Sequence, residues 1–537
     1  MREGSSRGYD GEGLLRAERT YSGTGRRSGE LSVALAFPNR YSLGMANLGF
    51  QEILERSRRV PSVDAERVFL PEGEEGPLRT FESGRPAGGA DVIAFSISFE
   101  NDYVNFLRML AAAKVPLRRE EREDRHPIVL AGGASTFLNP EPLRPFVDVF
   151  LLGEGEEVIG EYLELRLADL GRPREEHLAR AARLDGAYVP ACHGSASGIA
   201  RRRYDGMREA PAIGRLVTPH AEFADTLLVE ISRGCPRRCR FCTVGTVFPK
   251  FRMVPSETVI ETALRCRAED ERLGRPPLRK VGLVTAAFFD HVEAEEIAGG
   301  LFRRGFEIGA SSVRVDQLTD SVLHYLRESG LRTLTIAPEA GTASLRERIR
   351  KKASDGKILE GVERAAKAGF PSLRIYYMVG LPFETDEDRA GIVRLSEEIR
   401  GRFRGAGGRR GKVTVSLHPF VPKPRTPFQW AAMTRPAEMR RVLTGLRAKL
   451  RGFTVKATDL REAYTEAVLA QGGEELAPFL ERIAGGERWD RAAKESGLDL
   501  DRLLFEDRVP GESPWESGEK DHVDEVNRRE WKRAIAI

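Results

Sequence analysis

Between Leu31 and Leu167 the chain alternates short runs of apolar and β-branched residues with longer stretches whose apolar positions recur at helical spacing. The runs LSVALAF, ERVFL, DVIAFSIS, PIVLAGG and VDVFLLG predict five strands, and helices are expected to begin near Asn47, Asp102, Pro140 and Glu156. Near-continuous apolar strands separated by helices read as βα units around a parallel sheet buried on both faces. The expectation for residues 31–170 is therefore an α/β, five-stranded doubly wound domain.

No sustained period appears in residues 171–225, apart from a hairpin signal at Ala187 to Val189, so this stretch reads as a linker. A second βα series follows over 226–430, with strands at TLLVEIS, KVGLVT, EIGASSVRV, RTLTIAP, SLRIYYMVG and KVTVSLHPF. Six units are fewer than the eight of a closed barrel, so a partial (β/α)6 barrel is expected. Residues 431–537 carry apolar positions at helical spacing in AEMRRVLTGLRAKL, LREAYTEAVLA, ELAPFLERI and VNRREWKRAIAI, which predicts a helical C-terminal extension.

Composition narrows the picture modestly. A length of 537 residues exceeds what one hydrophobic core usually supports, in keeping with several domains. No apolar run approaches the roughly 20 residues of a membrane span. The net charge of +4 gives no sign of nucleic acid as a partner. Residues 1–30 hold Gly, Ser and charge without an apolar core, so they read as a disordered tail and not a secretory signal. The five cysteines do not suggest a disulfide framework, which fits a reducing, cytoplasmic compartment. Cys192 and Cys266 read as buried or half-buried structural thiols.

The other three cysteines change the picture most. Cys235, Cys239 and Cys242 stand in the spacing CxxxCxxC on the loop leaving TLLVEIS, and loops at the carboxyl ends of strands form the working face of a barrel-like array. Soft thiolates select iron-sulfur clusters, zinc or copper(I). A structural zinc site would want a fourth Cys or His, and none has paired spacing to the triad. Three thiolates suit a cubane whose fourth iron stays open.

The triad, with Phe241 before its last cysteine, resembles the signature of the radical S-adenosylmethionine (radical SAM) superfamily. That resemblance implies a 4Fe-4S cluster on Cys235, Cys239 and Cys242 that reductively cleaves S-adenosylmethionine to a 5′-deoxyadenosyl radical. It also implies cofactor contacts at Thr285 and Ala286 after the second strand, Ser312 and Arg314 in EIGASSVRV, Glu339 in IAPEAGT, and Gly380 in YYMVGLPFET. Gly341, beside Glu339, is read as letting the backbone approach a ligand closely. FVPKPRTPFQW would close the barrel, holding Phe428 and Trp430 either near the active face or in the core.

The N-terminal domain resembles the cobalamin-binding domain found before the triad in part of that superfamily. Where such domains carry DxHxxG, a serine pair and two glycines, this chain has NRYSLG with Asn39, Tyr41 and Gly44, then Ser96 and Ser98, then Gly132 and Gly133. With Tyr41 in the histidine position, a His-ligated cobalt is excluded. Either cobalamin binds with its lower face free of His, or the domain is retained as a scaffold. FPNRYSLGMANLGF, TIAPEAG, YYMVGLPFET and FVPKPRTPFQW together resemble one largely uncharacterised bacterial and archaeal family of this architecture.

The resemblance implies a radical SAM enzyme, with cobalamin-dependent methylation of an unactivated carbon as the leading reaction. The alternatives are radical chemistry without cobalamin and a non-catalytic cluster or corrinoid sensor. A methylthiotransferase would need three further cysteines, and only two remain. A reductant such as flavodoxin or ferredoxin is the implied partner, while the substrate has no signature.

Overall fold

The computed structural model describes residues 11–21, 23, 25, 28–71, 76–310, 314–407, 411–516 and 522–537. Its first sheet contains β1 (Leu31–Phe37), β2 (Val63–Phe69), β3 (Val92–Ser96), β4 (Ile128–Gly132), β5 (Val149–Leu151) and β6 (Ala187–Tyr188), in the order β2-β1-β3-β4-β5-β6. The first five strands are parallel, as the pattern predicts, and β6 is antiparallel to β5.

Alternation along each strand sends side chains to opposite faces. Leu35, Ala94, Leu130 and Leu151 pack on one face, with Leu54 and Val158 from the helices Leu48–Arg59 and Gly155–Ala168. Ala36, Ile93, Phe95 and Ala131 pack on the other, against Phe106 from the helix Asp102–Ala112. That second face is completed from the far end of the chain, by Val468 and Leu480 of the helices Leu460–Gln471 and Ala477–Ala484. The helix predicted near Pro140 is only a short turn, Glu141–Leu143.

The second region contains β7 (Thr226–Glu230), β8 (Lys280–Val284) and β9 (Glu307–Ala310) in one sheet, ordered β9-β8-β7. A second sheet runs β10 (Thr333–Glu339), β11 (Ser372–Val379), β12 (Lys412–Pro419) and β13 (Thr454–Ala457). All their pairings are parallel. Leu334, Ile336, Leu373 and Ile375 pack outward in the same core as Val259 and Ile358 of the covering helices. The alternate residues Thr335, Ala337, Glu339, Tyr376 and Met378 are half-buried and line a central cavity of about 540 Å³. The partial barrel is hollow where those residues face.

Three expectations need correction. β13 is a seventh parallel strand within the region expected to be helical; its four residues, TVKA, are too short and polar to give a strand signal. The presumed tail is ordered from Gly11: Gly11–Ala17 is helical, Arg19–Thr20 pairs with Leu216–Val217, and the buried Tyr21 donates to Asp270 at 2.8 Å. Tertiary pairing overrides the weak local pattern there, while residues 1–10 lie outside the described ones. The presumed linker holds the helix Arg174–Ala181 and the edge strand β6 in place of a hairpin.

Candidate functional site

The cysteine loop leaves the end of β7. Ser232–Arg233 pairs antiparallel with Arg252–Met253, so the loop bearing all three thiols is closed at its base by a two-residue ladder. Gly234 has φ +88°, and a Cβ there would lie 2.8 Å from the Phe248 carbonyl oxygen and 2.9 Å from that of Lys250. Only glycine passes this point without displacing Cys235. The Cys242 amide donates to the Cys239 carbonyl at 3.1 Å, a turn that keeps two thiols on adjacent ground.

The loop is anchored on several sides. Arg233 Nη1 donates to Glu154 at 2.9 Å, and its Nη2 reaches Glu156 at 2.5 Å and Glu230 at 2.7 Å. One guanidinium therefore ties the loop to carboxylates of both regions. Arg237 Nε donates to Asp290 at 3.0 Å, beyond the end of β8. Arg240 donates to the Arg348 carbonyl at 2.6 Å and to Glu530 at 3.1 and 3.2 Å. Phe241 packs among Leu345, Ile349, Phe428 and Ala534. Phe428 and Trp430 are fully buried, so they belong to the core.

Burial pushes the Cys239 and Cys242 thiols up, the latter to about 11, so neither ionises at neutral pH by itself. Binding a metal would therefore release protons. Among the described residues, no three His, Cys, Asp or Glu side chains form a group that could hold a single metal ion. Cys266 is buried in the core on the inner face of helix Ser256–Arg272, whereas Cys192 is exposed, contrary to expectation.

Glu339 ends β10 with φ +69°, where the pairing with β11 slips by a bulge. Its Oε1 accepts from Lys351 Nζ at 3.2 Å. Burial pushes the Glu339 carboxyl up while the lysine pulls it back. Burial opposes the Lys351 charge, but Glu339 holds that ammonium above its ordinary value. Lys351 had no signal in the sequence beyond being one of several basic residues in IRKK.

The remaining predicted contacts are largely occupied within the chain. Thr285 Oγ1 lies 2.6 Å from Ser232 Oγ and accepts from the Ala287 amide at 3.1 Å; Ala286 beside it is exposed. Arg314 is held bidentately by Asp316 at 3.1 and 2.8 Å. Ser312 lies outside the described residues. The Gly380 amide donates to Glu384 at 2.9 Å. Gly341 meets the backbone of Asp388 and Ile392, so the close approach expected beside Glu339 is to a helix.

In the first domain, β1 and β3 are adjacent while their connections run to opposite sides, which puts the switch point at their carboxyl ends. A cavity of about 330 Å³ opens there, lined by Ser96, Ser98, Gly132 and Gly133, and on the far side by Glu230, Arg233, Phe248 and Val284 of the second region. Asn47 joins this wall: its Nδ2 donates to Ser98 Oγ at 2.9 Å while its Oδ1 caps the helix Leu48–Arg59.

Asn39, Tyr41 and Gly44 do not line the cavity. Tyr41 is buried, its ring 5.0 Å from Phe81 and 5.2 Å from Phe69, and its hydroxyl donates to Glu18 at 2.6 Å. Asn39 donates to Asp102 at 3.0 Å, and Gly44 sits against the Phe69 ring. That loop turns inward because its aromatic ring gains a packed apolar pocket and a carboxylate partner.

Comparison with known proteins agrees with this layout. Residues 49–190 match the family described as radical SAM proteins, N-terminal, and residues 229–396 match the radical SAM superfamily. An uncharacterized protein of Methanocaldococcus jannaschii is 26% identical over 481 residues, covering 89% of this chain and 97% of that protein. An uncharacterized methyltransferase of Pyrococcus horikoshii is 25% identical over 180 residues, 32% of this chain and 37% of the relative. Among solved structures, the cobalamin-dependent S-adenosylmethionine radical enzyme OxsB with aqua-cobalamin bound has a TM-score of 0.47 at 16% identity. That match covers 68% of this chain and 52% of the enzyme's, so this chain spans about half its length. Coproporphyrinogen III oxidase from Escherichia coli, a radical SAM enzyme, gives 0.30 at 14% identity, over 51% of this chain and 79% of its own.

Proposed function

We propose that this chain, a radical SAM superfamily protein carrying the N-terminal domain of radical SAM proteins, is an enzyme that holds a 4Fe-4S cluster on Cys235, Cys239 and Cys242. The observation that carries this reading is the closed loop that carries all three cysteines at the carboxyl end of a partial-barrel strand, with Cys239 and Cys242 on the wall of one cavity that no His lines. The donor set fits such a cluster: soft sulfur ligands only, leaving one iron for a substrate. When bound, the cluster supplies one electron to S-adenosylmethionine, and hence a 5′-deoxyadenosyl radical.

The chain's own residues bind and orient. Glu339 faces the central cavity and offers carboxyl oxygens to an amino or hydroxyl group, with Lys351 paired to it. Ala286 is exposed, whereas Thr285, Arg314 and Gly380 are held by bonds within the chain. Arg233 and Arg240 hold the thiol loop still, so that binding geometry is set before the ligand arrives.

The finer reading is methylation of an unactivated carbon with cobalamin in the inter-domain cavity. In support, Ser96, Ser98 and Asn47 offer polar groups beside the Gly132 and Gly133 backbone, and the cavity abuts the cysteine loop at Arg233 and Phe248. No histidine lines it, which fits cobalamin with its lower face unligated by His. Bound there, cobalamin would carry the methyl group. A second reading, radical chemistry without a corrinoid, is favoured by Tyr41, whose inward packing takes the presumed cofactor loop away from the cavity.

The test is anaerobic reconstitution with iron and sulfide, then addition of S-adenosylmethionine and dithionite. Production of 5′-deoxyadenosine, lost in Cys239→Ala, is expected. A fully loaded wild-type sample that makes none overturns the radical reading. Corrinoid absorbance retained after gel filtration with hydroxocobalamin, and diminished in Ser96→Leu, supports the cobalamin reading; no retention leaves the corrinoid-free one.

A further inference from the structure

A third cavity, of about 280 Å³, opens onto the cysteine loop and shares no lining residue with the central one. Cys239 and Cys242 form part of its wall, and the helix His522–Ala536 forms another part through Val526, Asn527, Arg529, Glu530 and Arg533. That helix is held in place by Glu530, which accepts from Arg240 and Arg533 and lies 3.4 Å from Arg350, and by Trp531, whose ring stands 5.8 Å from Phe428 and 5.7 Å from Phe383.

The charges around this cavity are unbalanced. Arg238, Arg350, Arg529 and Arg533 face it, against the single carboxylate of Glu530. Burial works against the Glu530 charge, but its arginine partners hold that carboxyl below the ordinary range, so it stays ionised. Arg238, Arg529 and Arg533 are exposed. A concave basic surface of this kind concentrates an acidic partner and speeds its encounter.

We propose that this cavity is the electron-entry face of the enzyme, where an acidic one-electron carrier protein docks against Arg238, Arg529 and Arg533, next to the two thiols. The proposal rests on the cluster reading above. The central cavity, faced by Glu339, is assigned to S-adenosylmethionine and substrate, so the electron must arrive from elsewhere, and here two of the three ligands border an open, basic space. The step is an outer-sphere transfer: the carrier is oxidised by one electron, the cluster is reduced by one, and no bond or proton changes place.

Flavodoxin serves as the probe. Oxidised flavodoxin is titrated into the full-length reconstituted protein at low and at high salt, and reduction by flavodoxin hydroquinone is followed by electron paramagnetic resonance. Arg529→Glu should weaken binding and slow flavodoxin-driven reduction by tenfold or more, leaving dithionite-driven reduction at the wild-type rate. Lys449→Glu, which changes net charge equally on a helix that does not line the cavity, should behave as wild type.

Equal effects of the two reversals, or none from Arg529→Glu, overturn the docking face. Arg533→Glu supplies an independent variant should Arg529→Glu fold poorly, as judged by circular dichroism. A wild-type protein that dithionite cannot reduce refutes the cluster reading instead, whatever the titration gives.

Discussion

Arg240 and Glu530 are 290 positions apart, yet Arg240 Nε and Nη2 donate to Glu530 Oε2 at 3.2 and 3.1 Å, which locks the terminal helix onto the loop between the second and third cysteines. Both side chains are more than nine-tenths buried. Removing one partner leaves the other charge desolvated, a change that typically costs about 3–5 kcal/mol. Glu530→Gln is therefore expected to lower the urea midpoint and to loosen the helix, read as faster proteolysis after residue 516. An unchanged midpoint would mean that Arg533 and Arg350 sustain the contact without the carboxylate charge.

Gly234→Ala tests the base of the cysteine loop. The positive φ alone costs a non-glycine residue about 1–3 kcal/mol, and the two carbonyl oxygens oppose any Cβ. Iron and sulfide per chain after reconstitution should fall at least several-fold, while far-ultraviolet circular dichroism stays close to wild type. Full loading would show that the loop can shift without losing its ligands.

Lys351→Met removes the ammonium that faces both Glu339 and Cys239. Glu339 then sits buried without its partner and takes up a proton, so it accepts less strongly. S-adenosylmethionine binding is expected to weaken on the order of tenfold, equivalent to about 1.4 kcal/mol, with iron content unchanged. Lys351→Arg should restore most of it. Equal binding by all three proteins would remove Glu339 and Lys351 from the site.

Asp102 provides a pH prediction away from the cysteines. Burial raises its carboxyl to about 6, although Asn39 and the Phe99 backbone pull it down. The folded value exceeds the unfolded one of about 3.9, so the native state binds more protons between them. Stability should therefore fall as pH rises through that window, by on the order of 2–3 kcal/mol from this group when complete. Asp102→Asn, which keeps a polar partner for Asn39, should raise the Tm at pH 7.5 and change it little at pH 4. The reverse order of the two pH values would contradict the assignment.

The inward-facing loop at Tyr41 shows where a motif and a structure part company. NRYSLG occupies the chain position of a cofactor loop, but the side-chain direction there is decided by Phe69, Phe81 and Glu18, which come from separate elements. Ser96, Ser98, Gly132 and Gly133 do come together at one cavity, because strand ends of a parallel sheet share an edge whatever the loops do. Asn47 escaped notice in the sequence since it reads as an ordinary helix cap, and its second bond to Ser98 is a tertiary fact.

What the sequence determined by itself is local or periodic. The spacing of Cys235, Cys239 and Cys242, the apolar runs that became β1 to β5 and β7 to β12, and the caps that began the helices all act over a few residues, where covalent geometry limits the choices. Only the tertiary structure decided which distant groups meet: Lys351 with Glu339, Arg233 with carboxylates of both regions, β13 beside β12, and the terminal helix over the cysteines. Those contacts arise from burying apolar faces and pairing desolvated charges across hundreds of positions, and no short-range pattern in the chain encodes them.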